Sequence, residues 1–334
     1  MTTTPPRTQP AGGLRRFGAT DLHVSRLGYG SMELAGPPLG RDIAEADAIK
    51  FINAIVDNGI SYIDTSIDYG RSERLIGKAL AHRRGEFTLA SKCACAVGVD
   101  GHGDALGDKH EKHTYTGENV IAGVEQSLVR LQTDHLDVVQ VHGDPTRKQL
   151  EDGGVIEAML KLKQQGKVRY IGISSRLPKL AEFVTADYFD LVQVPFSPLQ
   201  RQNEDVIAQL KQSGKAVIAR GVTGRGAPAK NWETRPIGTE QGAVQNLWER
   251  AGLDDLLDGM SRLEFMIRFV LANTNIDVAL VATTNQAHLL DDIALANTGP
   301  LDGAVVQAAC ARLDKAGGGP GQGEYARGGP TPVR

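Results

Sequence analysis

The stretch GISYIDTSIDYGRSERLIG, residues 59–77, decides how the rest of the chain is read. It opens apolar, with Ile60, Tyr62 and Ile63, as a buried strand does. Asp64 stands at the end of that strand, Tyr69 follows after a short polar connection, Gly70 breaks the chain, and Ser72 is placed to cap a helix. A carboxylate at the carboxyl end of a strand, with a phenol just beyond it, is well placed for chemistry in a parallel α/β fold. Taken alone, the stretch leaves two readings open. Asp64 caps a turn and Tyr69 packs, or both belong to a site.

Outward from this stretch, strands and helices alternate. Residues 1–13 are rich in Thr, Pro and Gly and are expected to be disordered. Leu14 to Phe17 and His23 to Ser25 flank a turn and read as a hairpin, and Leu27 to Gly30 as the first core strand, followed by a Pro/Gly loop to Arg41. Ala44 to Asn58 carries Ala48, Phe51, Ile52 and Ile55 at helical spacing and stops at Gly59. A helix over Ser72 to Ala81 follows the Asp64 strand, and further strands deliver Lys92, His142, Ser174, Gln193 and Arg220, with helical stretches between them that include Leu180 to Ala186. A last strand, Val278 to Ala282, its helix, and a further helix, Ala304 to Leu313, precede a Gly/Pro-rich tail.

About eight βα units over roughly 280 residues match the size of a TIM barrel. An open doubly wound sheet would carry a glycine-rich phosphate turn after its first strand, and Leu27-Gly28-Tyr29-Gly30-Ser31-Met32 lacks the third glycine at that spacing. The expected fold is a (β/α)8 barrel over residues 14–316, with an N-terminal β-hairpin, an extra C-terminal helix and a disordered tail over 317–334.

Composition narrows the function classes. A net charge of −3 over 334 residues gives no reason to expect nucleic acid or an anionic membrane as partner. Cys93, Cys95 and Cys310 are odd in number, and two of them are separated by one residue, which argues against a disulfide framework and for a reducing compartment. The opening MTTTPPRTQPAGG lacks the apolar region of a secretory signal, and no apolar run approaches the ~20 residues of a membrane span. A cytoplasmic monomer or weak homodimer is expected.

Under the barrel reading, Asp64 and Tyr69 follow the second strand, Lys92 the third and His142 the fourth, so all converge on one mouth. Each alone is weak: a lone lysine is usually solvated and a lone histidine usually packs. Together they suit proton transfer to a carbonyl oxygen. A phenol titrates near ~10, and a neighbouring ammonium favours its phenolate. A carboxylate keeps the ammonium charged, and an imidazole orients the substrate oxygen. None of these groups supplies two electrons, so a cofactor must.

From Leu14 to Leu313 the sequence resembles an aldo-keto reductase. The resemblance rests on the opening Gly18 to Gly28, on Asp64-Thr65-Ser66-Ile67-Asp68-Tyr69-Gly70 with Ser72-Glu73, on Ser91-Lys92, on Gln140-Val141-His142-Gly143-Asp144, and on Gly166 to Ser174. It implies an eight-stranded barrel that reduces a small-molecule aldehyde or ketone with NAD(P)H. Tyr69 is then the proton donor, Lys92 its partner, Asp64 the anchor of the lysine, and His142 the carbonyl orienter. Ser174 and Gln193 would hold the nicotinamide carboxamide. Arg220, Gly221, Val222, Gly224, Arg225 and Gly226 would wrap the pyrophosphate, and Thr284, His288, Asp291 and Asp292 would meet the adenosine end.

The chain departs from the family pattern in three places. Arg220 replaces a common aromatic, Ser175 replaces a common asparagine, and Thr283 to Asp292 contains no Lys or Arg for a 2′-phosphate. NADP(H) is the expected cofactor, with NAD(H) as the alternative. Tyr29, Met32 and Trp232 are candidate pocket walls, and Trp248 a core residue.

The segment from Cys93 to Tyr115, with His102, Asp104, Asp108, His110, Glu111 and His113, is read as a substrate-facing loop that closes over the mouth. Its Cys-x-Cys spacing is not that of a common zinc knuckle, so no metal is expected. Two other classes stay open: a cofactor-binding regulatory barrel with little turnover, and a redox-neutral sugar enzyme with tightly held cofactor.

Overall fold

In the computed structural model, which describes residues 9–96, 113–224 and 247–321, eight parallel strands close into a barrel. A hairpin, β1 (Leu14–Arg16) and β2 (His23–Ser25), comes first. The barrel strands are β3 (Leu27–Gly30), β4 (Tyr62–Asp64), β5 (Thr88–Cys93), β6 (Leu136–His142), β7 (Val168–Ser174), β8 (Leu191–Pro195), β9 (Ala216–Arg220) and β10 (Val278–Val281). They pair in sequence order, and β10 returns to β3. The described helices are α1 (Glu45–Asp57), α2 (Ser72–Leu80), α3 (Gly117–Leu131), α4 (Arg147–Asp152), α5 (Val155–Gln164), α6 (Glu204–Gln212), α7 (Arg262–Ala272), α8 (Gln286–Asn297) and α9 (Gly303–Lys315). This is the expected (β/α)8 barrel, with the hairpin before it and α9 beyond the last unit. No helix among the described residues is long and apolar enough to cross a membrane.

Two apolar layers hold the fold. The larger lies between the strands and the helices and includes Ile52 and Ile55 of α1, Val120 and Val124 of α3, and Phe265 and Phe269 of α7. The smaller fills the amino end of the barrel and is closed by the hairpin, whose Val24, with Phe17 and Leu22 of its connection, packs on Tyr62, Val138, Leu191, Ile218 and Val278. These barrel residues stand at or near the starts of their strands, so the hairpin plugs the end opposite the expected mouth.

Several local expectations need correcting. Residues 9–13 are not part of a free tail: Ala11 is fully buried, donates to Gly59 O at 3.0 Å, and accepts from Leu27 N at 3.1 Å. At the other end Gly318 donates to Leu313 O at 2.8 Å and Gly321 to Gln202 O at 3.3 Å, so the packed chain runs past residue 316. Residues 1–8 and 322–334 lie outside the described residues.

The connection from β7 to β8 is a 3-10 turn, Lys179–Phe183, not a helix over Leu180 to Ala186. Leu180 and Phe183, three apart, are both buried, which suits the three-residue repeat of that turn. Helix α4 was missed. Its signal is the capping box, in which Thr146 Oγ1 accepts from Gln149 N and the Gln149 side chain accepts from Thr146 N. Ser72 is not the cap of α2, because Arg71 occupies that position. Its hydroxyl instead bonds Ser31 Oγ at 2.8 Å and Thr65 Oγ1 at 3.1 Å, tying α2 to the ends of β3 and β4.

Gly28 has a packing role rather than a phosphate-binding one. A Cβ there would lie 2.6 Å from Val278 Cγ1, 2.8 Å from Leu280 Cδ2 and 3.3 Å from the Tyr62 ring. The missing side chain makes room for that ring inside the barrel. Gly28→Ala is therefore expected to destabilise the protein by about 1–3 kcal/mol through overpacking. Denaturant unfolding of the two proteins checks this, and an unchanged midpoint would show that the layer has slack.

Candidate active site

Asp64 and His142 end β4 and β6, and Lys92 stands one residue before the end of β5 between them; in register Asp64 lies opposite Ala90, Lys92 opposite Gln140, and His142 opposite Ser174. Lys92 Nζ donates to Asp64 Oδ2 at 2.6 Å and to Thr65 O at 2.8 Å. Lys92 is 2% exposed and Asp64 3%. Gln140 Nε2 donates to the second oxygen, Asp64 Oδ1, at 3.0 Å. Burial works against the ammonium, but the Asp64 carboxylate and Tyr69 outweigh it and hold the lysine pKa above its ordinary value.

Tyr69 sits in the turn after β4, its N–H bonded to Ser66 O at 3.1 Å. Lys92 Nζ lies 4.9 Å from the centre of its ring, and the His142 ring stands edge-on at 6.2 Å and 81°. The phenol differs from expectation. Desolvation pushes its pKa up to about 12, with Asp64 and Asp68 adding to the rise, while Lys92 and Arg220 pull it down. Burial outweighs the lysine, so the phenol stays protonated at neutral pH.

His142 Nδ1 has two neighbours, Cys95 Sγ at 3.2 Å and Asp68 Oδ2 at 3.5 Å. Burial alone would raise the Asp68 carboxyl, but the imidazole and the Ser66 hydroxyl hold it well below the ordinary carboxylate range. Burial keeps Cys95 a thiol, its pKa well above the usual value. Cys93 is fully buried, its thiol pushed up to about 12, as suits a packing residue. Tyr115 Oη donates to His142 O at 3.2 Å, so the carboxyl end of the expected loop returns to the site. His102, Asp104, Asp108, His110 and Glu111 lie outside the described residues.

On the next strands, Ser174 pairs with Gln193 across β7 and β8, and Ser174 Oγ donates to Gln193 Oε1 at 2.8 Å. Gln193 Nε2 is buried with no hydrogen-bond partner among the described residues. An orphaned amide donor beside a hydroxyl fits the carboxamide of a nicotinamide ring, whose carbonyl accepts and whose amide donates. Arg220 ends β9 opposite Pro195, and its charge reaches Tyr69. Gly221 and Gly224 both take positive φ, and Gly224 N bonds Gly221 O at 2.9 Å, a tight turn after the strand. Val222, inside that turn, is fully buried, so its side chain packs rather than meets a ligand. Thr284 is half-buried and His288 and Asp291 are exposed at the start of α8, just beyond β10.

Some expected site residues are not at the mouth. Tyr29 is fully buried in the outer layer against Phe51 of α1 at 5.8 Å, and its hydroxyl donates to Thr283 O at 2.8 Å. Strand alternation explains this: Gly28 faces inward, so Tyr29 faces the helices. Asp292 is buried in α8, and that burial, with Asp291 beside it, raises its pKa to about 7. Met32, by contrast, is half-buried in the 3-10 turn Ser31–Ala35 directly after β3, at the carboxyl end of the barrel. Arg225, Gly226 and Trp232 lie outside the described residues. Trp248 is a core residue, edge-on to Phe265 at 5.5 Å.

Sequence reasoning passed over Gln140, Asp68 and Cys95. The signal for Gln140 was present, since it lies two residues before His142 in a strand and shares its face. Asp68 and Cys95 approach His142 only through the turns after β4 and β5, which no periodicity encodes.

A closed parallel barrel with a lysine–carboxylate pair, a phenol and an imidazole at its carboxyl end matches a known sequence pattern. The profile of the Aldo/keto reductase family matches residues 26–312. The chain belongs to the aldo/keto reductase family. Membership implies oxidoreduction of carbonyl groups, and the family generally uses NAD(P)H. Among family members, the oxidoreductase YqkF of Bacillus subtilis (strain 168), itself uncharacterised, is 26% identical over 299 residues, covering 85% of this chain and 90% of the relative. L-galactose dehydrogenase of Arabidopsis thaliana is 28% identical over 306 residues, covering 84% of this chain and 87% of that protein. Among solved structures, the holo form of the aldo-keto reductase AKR11C1 from Bacillus halodurans superposes with a TM-score of 0.77 at 26% identity, covering 94% of this chain and 99% of the other.

The buried pair makes a direct prediction for this aldo/keto reductase. Lys92→Met strands a carboxylate in the barrel and is expected to cost about 3–5 kcal/mol, whereas Lys92→Met with Asp64→Asn recovers much of the loss. Thermal unfolding of both variants checks it. A double variant as unstable as the single one would mean that packing, not charge, holds the throat.

Proposed function

We propose that this protein reduces an aldehyde or ketone to the alcohol with a nicotinamide cofactor, and that Tyr69 donates the proton. The observation that carries the reading is the connected set Gln140–Asp64–Lys92 beneath the Tyr69 ring, with His142 edge-on to it. When bound, the cofactor supplies a hydride to the carbonyl carbon. As the oxygen gathers negative charge, the Tyr69 O–H bond breaks and its proton passes to that oxygen. The Lys92 cation, held charged by Asp64, steadies the phenolate left behind. His142 donates to the same oxygen from its mouth-facing nitrogen and fixes its direction.

Ser174 and Gln193 hold the carboxamide. Arg220 with the backbone of Gly221, Val222 and Gly224, continued by Arg225 and Gly226, follows the pyrophosphate. Thr284, His288 and Asp291 meet the adenosine end. We favour NADP(H) over NAD(H) on the usage of the family. A small-molecule carbonyl compound is the substrate.

The test follows NADPH consumption with a panel of aldehydes, diketones and sugars. Tyr69→Phe is expected to lower kcat by about 10²–10⁴-fold while cofactor affinity, read by fluorescence, stays the same. Turnover that survives the substitution would move the proton to another residue. Tight cofactor binding without turnover on any substrate would favour a regulatory barrel. Higher kcat/KM with NADH would reverse the cofactor preference.

Because the Tyr69 pKa is raised to about 12, its protonated form persists through the neutral range. The reductive kcat is therefore expected to lose no acid between about pH 6 and about pH 9. A decline centred near neutrality in a pH profile would point to a different donor.

A further inference from the structure

At the carboxyl end of β6, Cys95, His113 and His142 bring a thiol and two imidazoles together. One ligand atom from each lies within 4.8 Å of the others. The three come from separate elements: Cys95 follows β5, His113 precedes α3, and His142 ends β6. Backbone bonds set two of them. Cys95 and His113 face each other in an antiparallel bridge, Thr114 N donates to Ala94 O at 2.7 Å, and Asn119 Nδ2 donates to Cys95 O and Thr114 O, both at 3.0 Å. Ring contacts set the other two faces. His113 stacks on Tyr115 at 5.9 Å and 7°, and meets His142 edge-on at 5.2 Å.

One of the three spacings is already that of a coordination sphere, and the rest lie within 4.8 Å. With Zn–S near 2.3 Å and Zn–N near 2.0–2.1 Å, tetrahedral neighbours lie about 3.5 Å apart. Cys95 Sγ and His142 Nδ1 are already 3.2 Å apart. Asp68 Oδ2 lies 3.5 Å from the same nitrogen but outside the three-residue cluster, so the three ligands leave the fourth position open. One thiolate and two imidazoles select zinc or a similarly soft divalent ion over magnesium or calcium.

We propose that Cys95, His113 and His142 form a binding site for one zinc-like divalent cation. On binding, the Cys95 S–H bond breaks, its proton leaves to solvent, and a sulfur–metal bond forms without any change in electron count. The metal takes Nδ1 of His142, so the ring proton resides on Nε2. The site shares His142 with the proposed carbonyl reduction, but the metal reading does not rest on that reaction.

The test titrates the purified, chelator-treated full chain with Co²⁺ as a spectroscopic probe. Thiolate-to-cobalt charge-transfer absorption that saturates at one equivalent and is displaced by Zn²⁺ is the expected result. Cys95→Ser should abolish the charge-transfer band, and His113→Ala should raise the cobalt Kd by at least about tenfold, since even an outer partner of a ligand is worth ~10–100-fold. Cys310→Ser, remote from the cluster, should leave the band intact. Circular dichroism confirms that each variant is folded. The proposal fails if no band forms at stoichiometric cobalt, or if the band survives Cys95→Ser in a folded protein. Neither result depends on finding a carbonyl substrate, so failure here is separate from failure of the reductase reading.

Discussion

A lysine ammonium enclosed in the throat of a barrel is tolerated only when its charge and its hydrogen bonds are both answered. Taking two ions out of water costs several kcal/mol each, and their attraction repays this only with good geometry and full hydrogen bonding. Lys92 meets the condition through Asp64 Oδ2 and Thr65 O, and Asp64 through Gln140 as well. These partners belong to three adjacent strands and the turn after one of them, so the pair forms only when the barrel has closed in register. The turn carrying Tyr69 is anchored to the same strand end. What keeps the charge buried also fixes where the phenol stands.

The electrostatics at Tyr69 show why a contact list is not enough. A cation beside a phenol favours the phenolate, and Lys92 acts in that direction. Yet the residue is half-buried and two carboxylates lie close by, so desolvation and those charges turn the net effect the other way. In the proposed reaction this favours the donor, since Tyr69 would enter it protonated. The cation matters most after the proton has left, when it faces the new phenolate.

Much of this was legible in the chain. The alternation of strands and helices gave the barrel, because a parallel strand buried on both faces reads as an apolar run and its polar residue falls at the end. Asp64, Lys92 and His142 were found that way. Tyr29 was misplaced because its strand was read by position rather than by face, and the inward slot belongs to Gly28. Ser72 looked like a cap by type, but buried hydroxyls from two strand ends claimed it. Composition misjudged residues 9–13, since one alanine with the right backbone bonds docks a segment that otherwise looks unstructured. Asp68 and Cys95 were out of reach, because turns bring them to His142 and no sequence period records a turn.

The backbone bridge between Cys95 and His113 has a bearing on how such a barrel diversifies. It clasps both ends of an excursion of the chain directly beside His142. Closing a longer excursion costs little, since the entropy rises only with the logarithm of its length, by about 0.6 kcal/mol per doubling. Residues beyond the clasp can therefore be replaced, lengthened or grafted from another barrel while the strands beneath keep their register. The excursion becomes an exchangeable part, separable from the strands that carry it.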